Sequence, residues 1–241
     1  MKFYFVIVLL LIVSAFSWMY FSLGNPTLIS YNISKKTEPH EYDGKTKISS
    51  IDLLVLYFVP KNKKPFTDEE FHKVILDVSS DLVLFHKIQL NNRSKINLDV
   101  HLDPIIGQSD SFVYDTDDTG YGNPHALISI LDEIKKRISD GDLAYLTKGN
   151  KNSPTIYIVY EGVGASGSKD GAILSRSFLT KDEYLKVRSS LFAHEFYHTI
   201  GVPDGYDQND LSFTSDIMGL GRRRPIQANY LSSEVLSHFG I

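Results

Sequence analysis

The stretch "ISSIDLLVLYFVP", residues 48–60, narrows most what this chain can fold into. It is almost continuously apolar, rich in β-branched and aromatic side chains, and it stops at Pro60. Its length and composition are those of a strand, and its lack of alternation places that strand at the centre of a sheet. A strand of this kind has to be covered by other elements, and the chain supplies them. In "TDEEFHKVILDVSSDLVLFHK" (67–87), Phe71, Val74, Ile75, Val78, Leu82 and Phe85 form one apolar stripe at helical spacing, and Thr67 with Glu70 reads as a capping box. "KINLDVHLDPI" alternates as a strand over residues 95–102, with His101 on its surface rather than in a site. Residues 124–138 form a second amphipathic helix through Leu127, Ile130, Leu131, Ile134 and Ile138. "PTIYIVYEG" (154–162) is another buried strand, "GVGASGSKDG" (162–171) a flexible loop, and "AILSRSFL" (172–179) an exposed edge strand with interleaved polar residues. The order β-α-β-α-β-β-α predicts an α/β or α+β layered domain around one mixed sheet.

That domain is expected over residues 48–241. Ahead of it, Phe3 to Gly24 carries no charge and is long enough for a helix across a bilayer, so residues 1–24 are expected to be a membrane anchor. A cleaved secretory signal is the alternative, although no clear small-residue cleavage site follows. Residues 25–47 are polar and turn-rich, a tether. Lys2 and the terminal amine favour a cytoplasmic N-terminus, which places the domain outside the cytoplasm, membrane-anchored or secreted. A net charge of −4 argues against a nucleic-acid partner. Arg222, Arg223 and Arg224 read as a solvated surface patch. There is no cysteine, which excludes disulfides, thiolate-held zinc and a thiol nucleophile. Asp115, Asp117 and Asp118 bring together oxygens of the kind Ca2+ favours, but the twelve-residue calcium-loop pattern is missing, and calcium is not the expected cofactor. A monomer is expected.

The chemistry concentrates in "HEFYHTIGVPDGYD", residues 194–207. Thr180 and Glu183 predict a helix that starts near Lys181 and stops at Gly201 and Pro203. His194 and His198 lie one turn apart on it and project from the same face, while Phe192 and Phe196 face the sheet. Two neutral imidazoles and a third protein ligand leave a fourth zinc position open, and Glu195 stands where it can act as general base. Asp204 is either that third ligand or an ordinary turn residue in "PDG". Glu234 and Asp207 are rival ligands, and Tyr197 and Tyr206 are packing residues that can alternatively assist an oxyanion.

This segment resembles the H-E-x-x-H-x-x-G-x-x-H/D signature of the metzincin metallopeptidases, and its "G-x-P-D-x-Y" run is closest to the snapalysin-type form. "SDIMGLG" (215–221) is similar to the methionine turn of that group, with Met218 twenty residues after His198. The resemblance implies a metzincin-like fold with a short C-terminal subdomain. It further implies His194, His198 and Asp204 as zinc ligands, Glu195 as base, Gly201 as the turn and Met218 as the floor of the site. It also implies that the edge strand lines a peptide or protein substrate. Leu220 occupies the position where some metzincins carry a tyrosine after the turn. The expected function is a zinc-dependent endopeptidase. The competing expectation is a zinc-stabilised extracytoplasmic binding module, against which the carboxylate of Glu195 speaks. Latency imposed by His40 or Glu41 in the tether is a further option.

Overall fold

The computed structural model describes residues 47–117, 123–147, 154–205 and 215–240. The apolar run 3–24, His40, Glu41, Asp118, Tyr206 and Asp207 lie outside them. Among the described residues no helix is long and apolar enough to cross a membrane.

Five strands form one sheet: β1 (Ser50–Val59), β2 (Lys95–Ile106), β3 (Thr155–Tyr160), β4 (Ala165–Ser168) and β5 (Gly171–Ser175), in the order β2-β1-β3-β5-β4. All pairings are parallel except that of β4 with β5. The unbroken apolar run of β1 from Leu53 to Val59 follows from its place inside the sheet. Leu53, Val55, Tyr57 and Val59 point into one core, and Leu54, Leu56 and Phe58 into the other. Helix α1 (Glu69–Gln89) packs into the first core through Phe71, Ile75, Val78, Leu82 and Phe85. Helix α2 (Pro124–Ser139) fills the second through Leu127, Ile130, Leu131 and Ile134. Each fully buried Leu, Ile, Val or Phe is worth about 1.5–3 kcal/mol of hydrophobic free energy. Covering both faces of β1 is therefore a principal driving force for this arrangement. The result is a mixed, layered α/β fold around one sheet, as the order of elements in the sequence predicts.

Asp68, not Thr67, caps α1, its carboxylate accepting the Glu70 N–H at 2.7 Å. Asn123 caps α2 in the same way, accepting from the Ala126 N–H at 3.0 Å, with Pro124 in the first turn, where its missing N–H costs nothing.

The sheet edge differs from expectation. Gly171–Ser175 is an interior strand, buried along its whole length between β3 and β4. The edge is β4, within the stretch read as a flexible loop. Its composition has a steric cause: a Cβ on Gly167 would lie 2.5 Å from the carbonyl oxygen of Glu195 and 2.7 Å from Cβ of His198. The strand carries small residues because it lies directly on a helix.

That helix, α4, spans Arg188–His198 and is shorter than expected. Residues 177–180 form a single turn, α3 (Ser177–Thr180), in which the Thr180 hydroxyl donates to the carbonyl of Arg176 rather than capping a following helix. A separate 3₁₀ turn (Asp182–Tyr184) follows, and α4 starts only after Val187. Beyond α4, the turn around Met218 is joined to residue 230 by the Ile217 N–H to Tyr230 O bond. The chain closes with α5 (Ser233–Ser237), and the Phe239 carbonyl accepts the N–H of Ile48 beside the start of β1.

Candidate metal centre

The site is set by how α4 is held. Phe192 stacks on Tyr157 of β3, with ring centroids 3.9 Å apart and planes 19° from parallel. Phe196 and Tyr197 are fully buried towards α1, where the Tyr197 ring lies parallel to that of His86. With one face of the helix fixed in this way, His194, Glu195 and His198 are left to the opposite side. Tyr197 therefore belongs to the core and has no route to an oxyanion.

After His198 the helix ends at Gly201, whose φ of +82° turns the chain back and favours a residue without Cβ. The return brings Asp204 over the two histidines: its Oδ1 is 3.1 Å from Nε2 of His194 and 3.5 Å from Nε2 of His198. These three residues are the one group of three or more metal-capable side chains among the described residues, with ligand atoms within 4.8 Å of one another. Glu234 is not part of it. It lies exposed on α5, where its charge acts on Asp216. Asp117 pairs with Lys63 at 3.0 Å, and His101 stands by Asp99 on β2.

The protonation pattern of the histidines is set by their outer nitrogens. Nδ1 of His194 is 2.9 Å from the carbonyl of Ile217, and Nδ1 of His198 is 2.8 Å from the carbonyl of Val202. A carbonyl can only accept, so both Nδ1 atoms carry hydrogen and the neutral rings turn their Nε2 lone pairs towards Asp204. Two lone pairs and a carboxylate oxygen then meet at one point with no proton between them. Such a set is reconciled by a shared positive charge, either a proton on an imidazole or a metal ion. Burial of His198 works against its charged form, but the carboxylates of Asp204 and Glu195 outweigh this and raise its pKa. Partial burial alone would raise Asp204, yet the two imidazoles beside it, once either takes up a proton, hold it well below the usual carboxylate range. Two imidazole nitrogens and one carboxylate oxygen, each ring anchored through its far nitrogen, form a donor set that fits zinc.

Glu195 is buried beside this group. Its desolvation is the largest influence and pushes its carboxyl upward, while the neighbouring histidines pull it down. Met218 is buried in the turn below. That turn is tight: the Met218 N–H donates to Oδ1 of Asp216, and the Gly219 N–H to the Asp216 carbonyl. The Met218 carbonyl accepts the N–H of Gly205 at 2.9 Å, tying the Asp204 segment to the turn. Gly201 and Met218 thus position the ligand strand from its two ends.

One residue near the group was read otherwise from the sequence. Arg222 is not part of a solvated patch: its side chain is 18% exposed and its Nη1 lies 3.8 Å from Oδ1 of Asp204. Arg224 turns to the Ser215 hydroxyl, and only Arg223 is exposed to solvent. The one hint in the sequence was the position of Arg222, four residues after Met218.

No family model matches the chain, and no curated protein matches it. Solved structures do. Catalytically inactive OgpA from Akkermansia muciniphila, in complex with an O-glycopeptide (glycodrosocin) substrate, is 14% identical with a TM-score of 0.53, over 83% of this chain and 63% of that one. Wild-type OgpA gives a TM-score of 0.52 at 14% identity over 80% and 60%. Archaemetzincin from Methanopyrus kandleri, at 13% identity, covers 78% of this chain and 93% of its own with a TM-score of 0.42. The likeness to OgpA is one of fold, and this chain spans less than two thirds of its length.

Proposed function

We propose that this protein is a zinc-dependent endopeptidase of the H-E-x-x-H-x-x-G-x-x-D metzincin form, with His194, His198 and Asp204 holding the metal. The observation that carries the reading is the convergence of the two Nε2 lone pairs and Asp204 Oδ1 beside a buried glutamate. The fold shared with OgpA, a protein crystallised with an O-glycopeptide substrate, supports it. A zinc ion bound there would polarise water and the scissile carbonyl.

The protein's own groups account for the remainder. Glu195 accepts the proton of the attacking water as the new C–O bond forms, and returns it to the leaving amine as the C–N bond breaks. Its buried setting raises its proton affinity, which suits a carboxylate that takes up and then returns a proton. β4 is the last strand of the sheet; its Ala165 carbonyl accepts the Asn123 N–H, and the backbone at Gly167, beside the metal helix, is the part of this edge that would meet an extended peptide. Its small side chains leave room above that peptide, so glycosylated peptides belong in the substrate panel. Residues 1–24 anchor the domain to a membrane, residues 25–47 tether it, and catalysis takes place outside the cytoplasm.

The test uses the full chain in mild detergent, loaded with zinc, against an unfolded protein and matched plain and O-glycosylated peptides. Mass spectrometry should find cleavage by the wild type and a loss of at least about 10²-fold in Glu195→Gln, the scale of general-base removal. Equal rates in the two proteins, or no cleavage by a zinc-saturated wild type, would remove the endopeptidase reading.

A further inference from the structure

Next to the metal helix lies a cavity that the metal chemistry does not use. It holds about 360 Å³, within the range of small-ligand pockets. Thr199 and Ile200, the two residues after His198, border it, as do Ile51 at the start of β1 and Thr155 at the start of β3. Lys169, the residue that follows β4, completes the lining on the strand side.

Lys169 gives the cavity its charge. Its stem is laid over the turn that follows His198: a Cβ on Gly201 would meet Cε of Lys169 at 2.7 Å and lie 3.6 Å from Nζ. Among the described residues no carboxylate comes within 4.0 Å of its ammonium. The neighbouring Asp170 pairs with Lys135 instead, at 3.7 Å. Asp52 also borders the cavity, but its carboxylate accepts the Asn97 amide at 2.8 Å. Strand alternation turns Asp52 to the α2 face, since Ile51 enters the α1 core. Nor does the end of α4 need a cation to cap it. The N–H groups of Thr199, Ile200 and Gly201 already bond to the carbonyls of Phe196, Tyr197 and His198. A lysine that neither pairs nor caps is available to a ligand, and the ligand that complements it is an anion.

Position narrows that anion to part of a peptide. The backbone at Gly167 stands against Glu195 and His198, and Lys169 follows two residues on, about 7 Å along an extended chain. A peptide paired with the edge at Gly167 that continues past Ser168 therefore arrives at the cavity. Antiparallel pairing is the more stable sense per residue, and it brings the amino-terminal side of the peptide there. We propose that the cavity is a specificity subsite for an acidic side chain, aspartate or glutamate, about two to three residues before the scissile bond, with Lys169 as its counter-ion. This rests on the endopeptidase reading above and deepens it.

The test uses the full-length wild type, Lys169→Met and Lys169→Glu, each saturated with zinc. A peptide panel carries Glu, Gln or Lys at each position in turn, and mass spectrometry gives kcat/KM and the bond cut. The wild type should prefer Glu to Gln at one of those two positions by about three- to fivefold, the upper range for an ion pair open to water. The ratio should fall to about one in Lys169→Met. Lys169→Glu should favour the Lys peptide over the Glu peptide. Each ratio is taken within one protein, so a general loss of fold or zinc cancels. A wild type with no acidic preference before the scissile bond overturns the proposal, as does a preference that survives in Lys169→Met. Calorimetry follows binding of the same panel to zinc-loaded Glu195→Gln. Acid-selective binding there, beside a wild type that cuts nothing, would remove the endopeptidase reading and keep the subsite. Cleavage without acid preference would do the reverse, and peptides neither cut nor bound would overturn both.

Discussion

His86 gives a quantitative handle on how the metal helix is seated. Its ring is fully buried in α1, parallel to Tyr197 and edge-on to Phe196 and Phe239. Among the described residues, its nitrogens meet the hydroxyls of Ser94, at 3.1 Å, and Tyr197, at 3.4 Å. Burial with no carboxylate partner lowers its pKa from 6.5 to about 3. The unfolded chain therefore binds a proton that the folded chain refuses between those two values, and stability falls as pH falls through that window. The stability is fully present above pH 6.5. At one and a half pH units below it, about 2 kcal/mol is lost, since each unit is worth about 1.4 kcal/mol. Urea unfolding of metal-free wild type and His86→Gln at pH 7 and pH 5 isolates this. Every other titratable group is common to the two proteins and cancels in the difference. The variant should be the less stable at pH 7, by about 1–3 kcal/mol for a disturbed buried contact. The gap should narrow by about 2 kcal/mol at pH 5. A gap of the same size at both pH values would refute the claim that His86 is held neutral under the helix.

Two further outcomes follow from the geometry. Gly167→Ala forces a Cβ into the backbone of α4, and should cost about 1–3 kcal/mol in urea unfolding and lower peptidase activity together, because the atoms it meets belong to Glu195 and His198. Asp204→Asn keeps the shape but removes the charge shared by both imidazoles, and chelator competition should find zinc affinity weaker by at least about 100-fold.

Much of this was legible along the chain, for physical reasons. β1 is readable because a strand buried on both faces leaves no polar position from Leu53 to Val59, and α1 and α2 because each buries a single stripe. The spacing of His194 and His198 on a helix fixed their shared face, and Gly201 announced the reversal that brings Asp204 back. What escaped depended on contacts distant in sequence. Gly167 reads like a linker glycine until α4 is laid beneath it, so an edge strand passed for a flexible loop. Thr180 and Glu183 have the spacing of a cap, but the hydroxyl finds a nearer partner in the turn behind it. Arg222 is one of three consecutive arginines, and only the fold of the methionine turn separates the one that faces Asp204 from its exposed neighbour.

The contact at Gly167 has a mechanical consequence. With no side chain between them, β4 and the metal helix meet backbone to backbone, and neither can slide or tilt without the other. β4 and the two histidines therefore behave as a single rigid piece. The rings reach the segment beyond Gly201 through hydrogen bonds to the carbonyls of Val202 and Ile217, and both of those residues are buried in the same core as Phe192 and Phe196 of the helix. The spacing between the strand edge and the two imidazoles is thus set by backbone contact and not by side chains that can change rotamer.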